Sequence, residues 1–389
     1  MSERALVLGA LGLRYLAGEP RLSGARSLAI GLILFNMSKT IFVGLSGGVD
    51  SAVSAALLKE QGYDVVGAFI KIWRPEFIEC PWRKERLDAM RVCAHLGIPF
   101  KEIDLSDEYK KTVIDDMVLN YSRGITPNPD VLCNRHIKFG AFKKWAFQEG
   151  ADMIATGHYA QITKENGRCA LLRGKDANKD QSYFLWQLIE EDLSTTLFPV
   201  GGYTKPEVRM HAKKFGLPVA GKPDSQGLCF VGDVSMHDFL ARYLPLHKGK
   251  VLDEEGKAIG DHDGAALYTL GERHGFRIFA KTRNEVPHYV CAIDTKGNTI
   301  MVSKDRSRAE QSDITLIDAN WMGEKPMPLH VAAQARYRET PVPCEISYQM
   351  GSYRVKFERP HLAPPGQSLV IYEGDRVFGG GVIAPHERV

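Results

Sequence analysis

Residues 40–62 read TIFVGLSGGVDSAVSAALLKEQG. The β-branched run TIFVGL reads as a short buried strand, and SAVSAALLKEQG as a helix ending at Gly62. Between them lies GLSGGVDS, residues 44–51, where Gly47 and Gly48 let backbone N–H groups approach an anion with no Cβ in the way. The helix that follows points its positive end at the same spot. Ser46 and Ser51 add hydroxyl donors, and Asp50 is suited to hold the loop or a magnesium ion. The loop carries no lysine and lacks the GK[ST] ending of a Walker A loop, so a grip built for γ-phosphate transfer is not expected.

Outward from this loop, strand and helix signals alternate. YDVVGAFIKIW, IPFKEIDL and ADMIATG read as strands, RKERLDAMRVCAHLG and HIKFGAFKKWAFQEG as helices. The expected fold is therefore α/β, a doubly wound parallel sheet with helices on both faces, extending over residues 37–230. Hairpin-like strands around EEGK and TKGN turns suggest a small mixed central domain over 231–308. From 309 to 389 short strands such as HVAAQARYRE, PCEISYQM and YRVKFER point to a C-terminal β-barrel. MSKTIFVGLSGG, from Met37, reads as a natural start, so residues 1–36 are expected to be an extension outside the fold.

With 44% hydrophobic and 25% charged residues, the composition is that of an ordinary globular protein, and no apolar run reaches the length of a membrane span. A net charge of +3 permits a nucleic-acid partner without demanding one. Seven cysteines, at 80, 93, 133, 169, 229, 291 and 344, form no CxxC pair, so neither a disulfide scaffold nor a metal site is expected, and a reducing cytoplasm is the default.

Two of those thiols stand out. NPDVLCN, residues 128–134, sets Cys133 three residues after Asp130 in what reads as a loop, and KPDSQGLCFVG sets Cys229 among turn residues downstream of Asp224. One thiol can carry sulfane sulfur while the other releases it by thiol–disulfide exchange.

SGGVDS is similar to the pyrophosphate loop of the ATP pyrophosphatase superfamily, which cleaves ATP between the α- and β-phosphates and leaves AMP on the substrate. Together with TPNPDVLCNRHIKFG, ATGHYA, KDQSYFLWQL, DSQGLCFVG, ARYR and PGQSLVIYEGDRVFGGGVI, in order from Met37 to the C-terminus, the chain resembles the tRNA-specific 2-thiouridylase family. The resemblance implies that ATP, with magnesium, adenylates O2 of the wobble uridine of tRNA and that sulfur then replaces this oxygen. It implies an ATP site of Gly44, Leu45, Ser46, Gly47, Gly48, Val49, Asp50, Ser51, Ile70 and Gly157. By the same match Cys229 carries a persulfide supplied by a cysteine desulfurase or relay protein, and Cys133 attacks it, closing a transient Cys133–Cys229 disulfide. Asp130 is then the general acid/base, and with Asn128 and Pro129 contacts the target base; Lys179, Asp180, Gln181, Arg336 and Tyr337 contact tRNA. Ile70 stands where the family often has Met, and Arg135-His136 where relatives often carry Lys-Glu.

Other signals have two readings each. His158 suits either a nucleotide contact or core packing. Lys138, Lys143 and Lys144 suit either phosphate contacts or a solvated helix face, and Arg336-Tyr337-Arg338 is expected along a strand. The loop alone also fits an amidotransferase-type synthetase, a 4-thiouridine synthase or an RNA-binding protein with an idle nucleotide loop. Those alternatives leave the two cysteine motifs unexplained.

Overall fold

The computed structural model describes residues 38–77, 82–224, 234–279, 286–323 and 329–385. Cys229 and residues 1–36 lie outside them.

The first sheet is parallel throughout, in the order β3-β2-β1-β4-β7, with β1 Thr40–Gly44, β2 Asp64–Lys71, β3 Phe100–Asp104, β4 Met153–Ala155 and β7 Thr196–Leu197. Alternation along β1 explains why it is central. Ile41 and Val43 face one layer, with Val53 and Leu57 of helix α1 (Val49–Glu60), Val92 of α2 (Trp82–Leu96) and Val208 of the helix Lys205–Lys214. Phe42 faces the other, with Ile154, Phe139, Phe142 and Trp186. Burial on both faces is what an apolar, β-branched strand requires. Strand order reverses between β1 and β4, the switch point where ligands enter such sheets.

Two further sheets follow. The central one has the order β10-β9-β8-β12-β11, from β8 Gly249–Leu252, β9 Ala258–His262, β10 Arg277–Ile278, β11 Tyr289–Asp294 and β12 Thr299–Ser303. The last six strands are β13 Gln311–Trp321, β14 Leu329–Gln334, β15 Val342–Gln349, β16 Ser352–His361, β17 Ser368–Glu373 and β18 Arg376–Ile383. They close into a barrel because β13 pairs with both β16 and β18.

Two local expectations need correction, and one element has no counterpart in the sequence analysis. NPDVLCN is not a loop: Asn128 caps a helix by accepting from the Val131 amide at 3.4 Å, Pro129 takes the first turn, and Pro129–Leu132 runs into a π-helical stretch, Cys133–Phe142. Asn followed by Pro is a helix-start signal as much as a turn signal. Arg336-Tyr337-Arg338 leaves the strand for a turn, because the Glu339 carboxylate accepts from the amides of Ala335 (3.0 Å) and Arg336 (3.1 Å) and Arg338 takes φ +62°. The hairpin β5–β6, Ala160–Glu165 and Arg168–Arg173, was not foreseen at all. Asn166 (φ +50°) and Gly167 (φ +83°) form its turn, and β6 extends the barrel sheet at the Arg376–Leu172 pair.

The barrel therefore shares a core with the parallel sheet: Val370, Tyr372 and Val377 pack with Trp186 and Tyr183. Trp186 is fully buried and donates its indole N–H to Ser368 Oγ at 3.0 Å. Trp186→Ala should cost about 3–5 kcal/mol by cavity formation, read as a lower midpoint in urea unfolding; an unchanged midpoint would show that the two layers do not share a core.

Candidate active site

The loop after β1 is organised by its own hydroxyls. Ser51 Oγ accepts from the Ser46 amide at 3.2 Å and donates to the Gly48 carbonyl at 3.2 Å, while Ser46 Oγ accepts from the Gly48 amide at 3.3 Å. Gly47 sits at φ +72°, and a Cβ there would press on the Glu85 backbone of α2, within 3.0 Å of its carbonyl carbon. Gly48 caps α1 with no side-chain acceptor, leaving the helix N-terminus to an incoming anion.

Gly157, after β4, meets the same loop from the other side of the switch point. A Cβ on it would lie 2.7 Å from the Ser51 amide nitrogen and 2.9 Å from the Asp50 carbonyl carbon. Ile70 lies across the end of β1, its Cδ1 3.8 Å from where a Gly44 Cβ would stand, beside Phe142 at 3.7 Å. Leu45 and Val49 are core residues, so they serve the site by fixing its backbone.

Asp50 is committed to protein partners. It accepts from the Tyr159 hydroxyl at 2.7 Å and from Lys205 Nζ at 2.7 and 2.9 Å. Burial and the Asp50 charge both push the Tyr159 phenol up, so it stays a donor. Lys205 also meets Asp224 at 3.0 Å, which in turn pairs with Lys179 at 2.6 Å and with Arg209. Desolvation works upward on Asp224, but hydrogen bonds from Lys179 and Lys205 outweigh it and hold the carboxyl well below the usual range. Lys222 donates to the Gly47 carbonyl and to Asp88, each at 3.0 Å.

The thiol lies on the neighbouring helix. Cys133 is 6% exposed, in a cluster with Tyr109, Ile114, Met117, Ile137 and Phe239. A loop would expose this sulfur; the helix packs it inside. Phe139 and Phe142, six and nine residues on, reach the ends of β4 and β1, so the Cys133 helix and the anion loop share one edge of the sheet. Burial pushes the Asp130 carboxyl up, and the charge of Lys138 partly opposes this. Lys138 Nζ donates to His158 Nε2 at 3.2 Å, and His158 Nδ1 meets Thr156 Oγ1 at 2.7 Å. Burial, helped by Lys138, holds the His158 imidazole far below its ordinary value, so it is a neutral packing residue that orients Lys138.

The remaining sequence candidates separate into two groups. Asp180 is buried and accepts from the amides of Gly174 (2.9 Å) and Ser182 (3.1 Å) and from Arg173 at 3.3 Å; Gln181 accepts from the Tyr159 amide at 3.1 Å. Lys143 is buried against Asp192 at 2.9 Å rather than facing solvent. Tyr337, in contrast, packs its ring against Phe184 at 4.6 Å, tilted by 46°, with the Arg338 guanidinium 5.1 Å from its ring, and Arg336 donates to the Leu270 carbonyl at 3.1 Å. Phe184 connects this turn to the thiol helix, since Asn134 donates to its carbonyl at 3.0 Å. Gln367 of the PGQ segment donates to the Thr126 and Pro127 carbonyls at 2.8 and 3.1 Å, fixing the strap that leads into Asn128. Tyr159, Lys205, Lys222 and Gln367 escape a sequence reading because their partners are distant in the chain.

Fold and geometry thus define an α/β protein with a glycine-rich loop leading into a helix N-terminus at a sheet switch point and a thiol-bearing helix on the same edge. Family profiles match most of the chain: a tRNA methyl transferase HUP domain over 39–233, a tRNA methyl transferase PRC-barrel domain over 237–304, and an aminomethyltransferase β-barrel domain over 311–383. Among curated relatives, the "tRNA-specific 2-thiouridylase MnmA" of Nitrosomonas eutropha is 44% identical over 357 residues, 90% of this chain and 99% of that protein. Those of Methylobacillus flagellatus and Pasteurella multocida are each 43% identical, over 89% and 90% of this chain and 99% and 94% of theirs. The chain belongs to the tRNA-specific 2-thiouridylase family. Among solved structures, the U34-tRNA thiolase NcsA from Methanococcus maripaludis overlaps at a TM-score of 0.34 with 22% identity, over 55% of this chain and 68% of that one, too weak a likeness to build on.

Gly157→Ala should wedge the Ser51 amide away and weaken ATP binding by at least about tenfold, a loss of ~1.4 kcal/mol, in titration calorimetry, with the circular dichroism spectrum unchanged. Normal ATP affinity would show that the two loops do not form one site.

Proposed function

We propose that this chain is a tRNA-uridine 2-sulfurtransferase that uses ATP, as MgATP, to activate O2 of the wobble uridine and replaces that oxygen with sulfur. The reading rests on the family and on one observation: the anion loop and the Cys133–Asp130 helix converge on one sheet edge. The methyl transferase wording of the profiles finds no counterpart in this chemistry, whereas a thiol beside an ATP-type loop suits the thiouridylase names of the relatives.

In the first step O2 of the uridine attacks the α-phosphorus, the bond to the bridging oxygen breaks, and pyrophosphate leaves with the electron pair. The N3 proton passes to Asp130, whose raised carboxyl is a better base than an ordinary one. In the second, the Cys133 thiolate attacks the persulfide carried on Cys229, forming the Cys133–Cys229 disulfide and releasing hydrosulfide. Hydrosulfide attacks C2, AMP leaves, Asp130 returns its proton to N3, and the sulfur's own proton goes to solvent. A dithiol reductant resets the disulfide. Asn128 and Pro129 present the base from the start of the same helix, and Lys179, Arg336 and Tyr337 extend the tRNA contact. The persulfide comes from a cysteine desulfurase or a relay protein, and the setting is cytoplasmic. Among the described residues no helix is long and apolar enough to cross a membrane.

Nucleoside mass spectrometry of unmodified tRNA incubated with the protein, MgATP and a persulfide donor should show 2-thiouridine, and none without ATP; its absence from the complete mixture would overturn the reading. Single-turnover pyrophosphate release should rise with pH as Asp130 ionises, with a midpoint above the ordinary carboxylate value. Since Lys138 pulls that midpoint down, Lys138→Met should move it further up. A midpoint that stays put would remove Asp130 from the proton path.

A further inference from the structure

The anion loop has no lysine, yet ATP cleavage at the α-phosphorus expels pyrophosphate, a heavily charged leaving group. Magnesium carried with ATP offsets part of that charge, and any protein cation for it comes from elsewhere in the fold. Three basic side chains, Lys205, Lys179 and Arg209, gather around the carboxylates of Asp50 and Asp224 beside the N-terminus of α1, with Asp176 on the Lys205 amide. Lys205 is the member that touches the loop.

Its placement is unusually fixed for a lysine. Lys205 opens its helix directly after Thr204, whose amide and hydroxyl both donate to Glu207, at 2.6 and 2.9 Å. Those bonds, with Lys175, hold the Glu207 carboxyl down to about 2. The Lys205 amide donates to Asp176 at 2.9 Å, and the side chain, 12% exposed, runs past the Tyr159 ring with its ammonium 5.9 Å from the centroid. The entropy of ordering a long cation is therefore lost on folding, before any ligand arrives.

Resting on the reading that this loop binds ATP, we infer that Lys205 is the cation that binds the β- and γ-phosphates and stabilises the departing pyrophosphate. Asp50 and Asp224 store it in the free protein. When the bond from the α-phosphorus to its bridging oxygen breaks, the electron pair goes to pyrophosphate and the ammonium lies against the charge that develops. Lys222, which is held by Asp88 and the Gly47 carbonyl, shapes the loop from behind.

The test compares wild type, Lys205→Ala, Lys205→Arg and the exposed control Lys214→Ala, with circular dichroism to confirm folding. Calorimetry with inorganic pyrophosphate and with AMP is paired with single-turnover release of pyrophosphate in the presence of tRNA. For Lys205→Ala, pyrophosphate affinity should fall about tenfold or more and pyrophosphate release about 100-fold, while AMP affinity changes less than about twofold. Lys205→Arg should recover part of both losses, and Lys214→Ala neither loses nor gains. An equal fall in pyrophosphate and AMP affinity would reduce Lys205 to a structural strut, and unchanged pyrophosphate affinity would remove it from the phosphates. If wild type bound neither ATP nor pyrophosphate, the ATP reading itself would fall with the inference.

Discussion

The carboxylate of Asp50 ties together parts of the chain that are distant in sequence and already packed in one core. It lies in the first turn of α1, accepts from Tyr159 just beyond β4, and pairs with Lys205, 155 residues away. Through Lys205 the tie extends to Asp224, and from there to Lys179 and Arg209. Each pair is partly shielded from water, so its loss would leave a charge without compensation rather than merely one contact fewer. This network fixes the position of the anion loop relative to the ends of the strands around it.

A second constraint acts on the thiol. Cys133 sits in a helix whose N-terminus is held by Asn128 and by Gln367 of the barrel, and its sulfur is packed among aromatic and aliphatic side chains. A sulfur kept from solvent is protected from oxidants while the protein is idle. The π-helical winding that begins at Cys133 bears on the same point: Gly140 is close to the Arg135 carbonyl, 2.8 Å from where a Cβ would be, and such windings recur at functional positions. The barrel thus does more than extend the chain, since its PGQ segment and its shared core with Trp186 set where the reactive helix begins.

Much of this is legible in the sequence where the signals are local. TIFVGL, the two glycines and the following helix declare the parallel sheet and its anion loop, because strand burial and backbone access depend on neighbours only a few residues away. The hairpin β5–β6 carried its own local signal, Asn166-Gly167, and the helix start at Asn128-Pro129 carried one that reads equally well as a turn. The turn at Arg336 depends on Glu339 bending back to two amides, which a charge–aromatic alternation does not reveal. What the sequence left dark is nonlocal: the pairing of Lys205 with Asp50, the burial of Asp180, and the hold of Asn134 on Phe184 exist only once the sheet is assembled.

In the proposed reaction the uridine oxygen, not a water molecule, attacks the α-phosphorus of ATP. Transfer RNA bearing ¹⁸O at O2 of the wobble uridine tests it directly, with the AMP analysed by mass spectrometry after thiolation. The account predicts one ¹⁸O atom in the phosphate of each AMP formed per 2-thiouridine. Unlabelled AMP alongside normal 2-thiouridine would contradict it, since the oxygen would then have left without ever being joined to phosphorus.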